Sequence, residues 1–439
     1  MIKPALALAV AALSLIPASA HAAPLSAREQ VMLTTVDAEQ ARSLALLQRV
    51  VDQNSGSRNS AGVRAVYEML RPEFEALGFA VRWVPMAQTG RAGHLIAVHR
   101  GAAGRKRLLL IGHLDTVFDA DSPFQKYMVL DATHVRGPGV SDDKGGDVVM
   151  IAALRAMQAA GTLARANIEV VLTGDEEDSG EPLALARADL VAAGKRADAA
   201  LDFEGLARDG GLDMGSVARR SATDWTITVT ARSSHSSGVF SSSAGDGAIY
   251  ALARIIAAFR TELAEPNLTY NVGLIAGGAS ATLAPDQAHA AATGKTNIIA
   301  GQAVARGDLR GLTPDQIARA RAKMAEIVAR PYPGATATLA LDDGYPPMAP
   351  TPGNRALLAR LNAVNAAMGL PAMGELDPLK RGAGDISFVA ADVDSLVGLG
   401  PASTGDHTAN ETVDLPSIWR QAKRAALLMS RLAAEKVGG

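Results

Sequence analysis

The chain has 439 residues, 48% of them hydrophobic, and a formal charge of −2. Near-neutrality argues against nucleic acid or an anionic membrane as the main partner. There is no cysteine, which excludes disulfides, thiolate catalysis and cysteine zinc sites and leaves His, Asp and Glu to hold any metal.

The N-terminus combines Lys3, an apolar run from Ala5 to Ile16 and small residues through Ala23. That pattern predicts a secretory signal peptide over residues 1–22, hence a secreted, periplasmic protein with no membrane attachment after cleavage. Helical periodicity follows over 26–52 and 60–77, the second closed by Gly78 as a C-cap. Short apolar runs at Ala80–Val84, His94–His99 and Leu108–Ile111 read as strands. A helix over 145–160, a strand at Ile168–Leu172, a helix over 182–193 and a strand at Ala199–Phe203 come next. Helices alternating with apolar strands predict an α/β layered domain with a largely parallel sheet.

The texture changes near residue 216. Thr223–Ala231 alternates as a half-exposed strand should. A helix over 244–263, strands near 268–276, 286–293 and 295–305, a helix begun by Thr313-Pro314 and a strand at Ala335–Leu341 complete a β-α-β-β-α-β order. This is the split βαβ pattern of a ferredoxin-like α+β unit with one extra strand. Residues 216–343 are therefore expected to form a lid inserted into a domain made of 23–215 and 344–439. The latter resumes with a helix at 354–368, an apolar run at 394–399 and a closing helix at 416–435.

Five clusters of acids or histidines sit at predicted strand ends or in turns: Gly112-His113-Leu114-Asp115, Ser141-Asp142-Asp143-Lys144, Asp175-Glu176-Glu177-Asp178, Asp202-Phe203-Glu204 and Asp406-His407. The carboxyl edge of an α/β sheet is where ligands bind, and five coincidences there favour one shared site. His113, Asp143, Glu177, Glu204 and His407 suit a pair of zinc ions, with Asp143 as the bridge and Asp142 shaping the turn. Asp202 would face the same side as Glu204 and competes with it. Asp115 would orient the His113 imidazole. Glu176, beside a ligand but facing elsewhere, is the candidate general base.

Taken together, Gly-His-Leu-Asp-Thr-Val, Ser-Asp-Asp-Lys-Gly-Gly, Asp-Glu-Glu and His407 resemble the two-zinc peptidases that include glutamate carboxypeptidase, aminoacylase-1, succinyl-diaminopimelate desuccinylase and acetylornithine deacetylase. The likeness covers almost the whole chain after the signal peptide. It implies a three-layer α/β/α catalytic domain with a ferredoxin-like lid, two Zn2+ per subunit (Co2+ or Mn2+ fitting the same donors) and a homodimer formed through the lid. It further implies His113, Asp143, Glu177, Glu204 and His407 as ligands, Glu176 as acid and base, Asp115 as the orienting acid, and a cis peptide between the paired acids or just after. In the lid, His235 matches a histidine that stabilises the oxyanion in the opposite subunit, Asn297 lies near substrate, and Arg310 of Asp308-Leu309-Arg310 holds the substrate carboxylate. Lys380-Arg381-Gly382-Ala383-Gly384-Asp385 stands where carboxypeptidase-like members have Gly-Gly-Thr-Asp; Gly382 and Gly384 would line the substrate site, and the missing Thr changes its contacts. The activity implied is that of a metallo-exopeptidase or amidohydrolase. It would cleave an amide next to a free carboxylate in a small peptide or N-acyl amino acid, with a dipeptidase or aminoacylase as the alternative within enzymes. A periplasmic peptide-binding protein on the same scaffold is the alternative outside them.

Overall fold

The computed structural model describes residues 24–438; the signal peptide expected over 1–22 lies outside them. Six strands, Ala80–Pro85, Gly93–His99, Asn167–Thr173, Arg107–His113, Ala199–Asp202 and Ser395–Val397, lie side by side in that spatial order. The last four run parallel, and the first two join antiparallel at one edge. In the central strand Leu108 and Leu110 enter one core while Leu109 and Ile111 enter the other. This is the alternation that a pleated strand imposes when both faces are covered. The result is a three-layer α/β/α arrangement.

On the larger core, helix Lys144–Ala159 is buried at every position from Lys144 to Met157. It packs against Ala27–Ala38, Gln40–Asp52 and the closing helix Leu415–Ala433. Burying its Val, Ile, Leu and Met side chains contributes about 1.5–3 kcal/mol each, which fixes the helix and, with it, the turn at its N-terminus. Among the described residues no helix is long and apolar enough to cross a membrane.

The lid sheet orders its strands Thr269–Tyr270 and Leu274–Gly278, then Gln302–Arg310, Thr223–Ala231 and Ala335–Leu341, all antiparallel. Trp225, Ile227 and Val229 point into its core with Ile255, Phe259 and Met324 from the two covering helices, Ala248–Glu262 and Pro314–Val328. Thr313 caps the second of these by accepting from the Gln316 N–H at 3.1 Å, as Thr-Pro at a helix start predicts.

Local expectations differ from the structure in three places. The helix expected over 26–52 breaks at Glu39, where the capping φ of −98° ends one helix and starts the next. The helix expected over 182–193 is two short pieces, Leu183–Ala186 and Ala188–Gly194. The strands expected near 286–293 and 295–305 are redistributed. Ala290–Thr293 pairs with Ser280–Leu283 in its own hairpin, and the lid strand proper is Gln302–Arg310. Ala-rich alternation at 290–293 carries no apolar face large enough to pin it to the main lid core.

Two further features place the site. A small antiparallel sheet joins Ser403–Thr404, Thr412–Asp414, His134–Arg136 and Met128–Val129, so the loops 405–411 and 137–143 emerge next to each other. Single bridges, Arg219 to Met348 and Ala222 to Tyr345, pair the two passages between the main sheet and the lid.

Candidate metal centre and active site

His113 ends the central strand and is buried. Its Nε2 lies 3.0 Å from Asp142 Oδ1, and its Nδ1 lies 3.2 Å from the Asp115 carbonyl and 3.4 Å from Asp115 Oδ1. Burial opposes charge on this imidazole, but Asp115 and Asp142 outweigh it and hold its pKa well above the ordinary value. Across the site, His407 Nε2 lies 3.0 Å from Asp142 Oδ2 and 3.3 Å from Glu177 Oε2. Those two acids push the His407 pKa up to about 11. One carboxylate thus faces both imidazoles, and it belongs to Asp142.

Asp143 was expected as the acid shared between the two imidazoles, and the structure places Asp142 there instead. Asp143 is fully buried, and neither of its carboxylate oxygens has a hydrogen-bond partner. Burial holds its pKa well above the ordinary carboxylate range, and the neighbouring Asp147 adds to the shift. Asp142, by contrast, is held below that range: burial works against its charge, and His113 and His407 overcome it. The peptide bond between Asp142 and Asp143 is cis.

What presents Asp142 is Glu411, which sequence reasoning missed. Its buried carboxylate accepts from the N–H groups of Gly139 at 2.9 Å, Ser141 at 3.0 Å and Asp142 at 3.2 Å. Burial pushes the Glu411 pKa up to about 8 against the pull of these amides. The only hint in the sequence was an acid four residues after His407.

Asp115 organises the opposite wall. Its Oδ1 accepts from the Glu176 N–H at 3.0 Å, and its Oδ2 from the Glu177 N–H at 3.1 Å and the Ser57 hydroxyl at 2.6 Å. It orients the two glutamates as well as the imidazole. Tyr345, also missed, donates from its hydroxyl to the Glu176 carbonyl at 2.8 Å. Glu176 offers an oxygen to a group with His113 and Glu204 whose donor atoms lie within 4.8 Å of one another. His113, Asp142 and Glu177 form a second such group. Burial, and after it the charge of Glu204, holds the Glu176 pKa well above its ordinary value. Burial, and after it the charge of Asp142, pushes Glu177 up to about 7. Asp202 is turned inward and accepts from the Glu204 N–H at 3.1 Å, which leaves Glu204 as the acid that faces His113.

This donor set fits divalent metal. It offers two imidazoles, a carboxylate placed between them and a further carboxylate on each side, with no soft ligand. Burial raises these acids first, and their like-charged neighbours add a repulsion that a cation would relieve.

Of the substrate-side residues, Arg310 lies at the end of its lid strand with Nε 2.6 Å from Asp308 Oδ2. Its Nη1 would be 3.7 Å from a Cβ on Gly382, so these two come together. Gly384 leaves the space occupied by the Arg219 guanidinium. His235 and Asn297 are neighbours on the lid, where the Ser236 N–H donates to the Asn297 carbonyl at 2.9 Å and His235 bridges Ile298. Among the described residues no hydrogen bond or ion pair joins either of them to the acid–imidazole cluster.

A cysteine-free cluster of imidazoles and carboxylates at the carboxyl ends of a parallel sheet, beside an acid with a raised pKa, is the site of a metallohydrolase. The chain belongs to peptidase family M20/M25/M40, whose model matches residues 109–431. It is 29% identical over 154 residues to carboxypeptidase G2 of Pseudomonas sp. (strain RS-16), an alignment covering 34% of this chain and 36% of that relative. Its fold is similar to that of a tripeptidase from Staphylococcus aureus (TM-score 0.69, 19% identity, covering 90% of this chain and 99% of that one). Human carnosine dipeptidase 1 is also similar (TM-score 0.62, 13% identity, 93% and 100% covered). So is a dinuclear metal binding peptidase from Bacillus subtilis (TM-score 0.62, 15% identity, 90% and 99% covered).

Proposed function

We propose that this protein is an exported, two-zinc exopeptidase or amidohydrolase that cleaves an amide bond next to a free carboxylate in a small peptide or N-acyl amino acid. The observation that carries this reading is the Asp142 carboxylate set between His113 and His407. Asp142 would be shared by two ions, one completed by His407 and Glu177 and the other by His113 and Glu204. Such a pair of ions supplies Lewis acidity toward a carbonyl oxygen and makes water acidic enough to ionise near neutral pH. Glu176 takes the proton of the attacking water and returns it to the leaving amine, a task suited to a carboxyl whose pKa is raised by burial. Asp115 keeps Glu176 in place through the backbone. Arg310 receives the substrate carboxylate with its planar fork.

The homodimer through the lid is part of this proposal. Phe240, Ile249, Tyr250 and Ile275 are large apolar side chains exposed on the lid, and Phe240 stacks edge-on against Tyr250 at 5.4 Å. Exposed apolar residues grouped in this way favour association. Covering them with a second copy would bring His235, in the same loop as Phe240, toward the partner's site. Export rests on the N-terminal sequence pattern alone and is tested by N-terminal sequencing of the protein from a periplasmic extract. The activity is tested by measuring amine release from N-acyl amino acids and dipeptides before and after chelation and zinc readdition. No metal-dependent release from any of them would overturn the proposal.

A further inference from the structure

Arg187 separates the short helices Leu183–Ala186 and Ala188–Gly194 and is 1% exposed. Its guanidinium gathers segments that are far apart in the chain. Nε donates to Asp385 Oδ1 at 2.7 Å, at the end of the loop 380–385. Nη1 donates to Asp175 Oδ1 at 2.6 Å, in the residue before Glu176. Nη2 donates to the Asp175 carbonyl at 2.9 Å, the Ser179 hydroxyl at 3.1 Å and the Tyr345 hydroxyl oxygen at 2.8 Å. Both acids are anchored on their other oxygen as well. Asp385 Oδ2 accepts from the Thr173 hydroxyl at 2.5 Å, and Asp175 Oδ2 from the Gly180 N–H at 2.8 Å. A buried polar network satisfied in this way holds its members in one arrangement.

The consequence falls on Tyr345. Its hydroxyl oxygen has three neighbours: Arg187 Nη2 at 2.8 Å, Ser179 Oγ at 2.9 Å and the Glu176 carbonyl at 2.8 Å. A guanidinium only donates and a carbonyl only accepts. The single phenol proton therefore goes to Glu176, and Ser179 donates to the phenol oxygen. Every hydrogen-bonding capacity of that hydroxyl is assigned, and its proton is aimed at the peptide of the base. Glu176 is thus held from both ends, its N–H by Asp115 Oδ1 at 3.0 Å and its carbonyl by Tyr345.

We propose that Arg187 and Tyr345 are positioning residues for Glu176. The guanidinium orients the phenol, the phenol fixes the Glu176 peptide, and the loop 380–385 and the passage to the lid are tied to the base through them. Neither residue touches the reacting atoms. This rests on the reading of Glu176 as the base of a two-zinc hydrolase, and it locates the loss on removal in proton transfer, with substrate affinity and metal binding spared.

The test uses the full zinc-loaded chain and whichever N-acyl amino acid or dipeptide it cleaves fastest. Tyr345→Phe keeps the ring, which stands edge-on to Phe388 at 4.8 Å, and removes only the donor. It is expected to lower kcat roughly tenfold, the scale of one hydrogen bond, with KM little changed and two zinc ions still bound. Arg187→Met should lower kcat roughly a hundredfold, the scale of a misplaced catalytic group, and Arg187→Lys should fall between. In the Glu176→Ala background Tyr345→Phe should have almost no further effect on the residual kcat, because the group it positions is gone. A native kcat in Tyr345→Phe, an undiminished loss in the Glu176→Ala background, or release of zinc would each overturn the inference. Hydrogen exchange over residues 174–180 reads the clamp without turnover: faster exchange in Tyr345→Phe is expected, and unchanged protection overturns the inference even if no substrate is found. Tyr345→Phe decides the matter should Arg187→Met fail to fold. Full activity in Glu176→Ala, or no cleavage of any substrate with two zinc ions bound, counts against the hydrolase reading instead.

Discussion

The Arg219 guanidinium occupies the volume in which a side chain at Gly384 would stand. The residue therefore works in two directions. It closes the space over the loop and also holds the carbonyls of Gly382 and Ala383. Gly384 and Arg219 are expected to behave as one unit. Gly384→Ala should destabilise the protein by about 1–3 kcal/mol through overpacking, and adding Arg219→Ala should cost less than the sum of the two single changes. A double-mutant cycle by urea denaturation checks this, with a coupling of at least about 0.5 kcal/mol expected.

Exchanging the two adjacent acids separates them. Asp142→Asn should abolish tight binding of both ions. Asp143→Asn should leave two ions per chain, because its carboxylate faces the interior without a partner. Equilibrium dialysis followed by metal analysis distinguishes the two, and equal metal loss in both variants would contradict the placement of Asp142.

The sequence does not sort Asp142 from Asp143. Two neighbouring acids in a turn look alike in sequence, and the turn that sorts them is set from far away. Glu411, 270 residues beyond Ser141, holds that turn through the backbone. The alternation of apolar strands and helices was legible because it depends on local pattern, and so was the meeting of His113, Glu177, Glu204 and His407 in one place, because each follows an apolar strand. Arg219 and Tyr345 were not legible: each lies in a passage without periodicity, and its partner is remote in the chain.

Removing the anchor tests the same point. Glu411→Ala leaves three N–H groups, two of them buried, without their acceptor, at about 1–3 kcal/mol for each that water does not reach. A fall in melting temperature together with weaker zinc binding is expected, since the turn presents Asp142. Thermal denaturation with and without zinc reads both effects.

Metal loading should be proton-linked. Without metal His407 titrates near 11 and Glu177 near 7, so at pH 7 the imidazole is charged and Glu177 is partly protonated. Ligands must give up those protons to bind a cation. Zinc affinity should therefore rise with pH from 6 to 8, with net proton release. Calorimetry in buffers of differing ionisation enthalpy measures the number released, and a pH-independent affinity would contradict the ligand assignment.

Glu176→Ala should reduce kcat by roughly a hundred- to ten-thousandfold while two zinc ions remain bound. Steady-state kinetics with metal analysis on the same preparation checks both. Loss of metal with activity would assign Glu176 to the ligands instead.

The paired passages between main sheet and lid limit what an engineer can exchange. Arg219 and Tyr345 both lie on these passages; one grips the loop beside the substrate and the other the backbone carbonyl of Glu176. A lid grafted from a relative at residues 223 and 341 would fold on its own core. To work, it would also have to match 216–222 and 344–348, because those short stretches belong to the active site as much as to the joint.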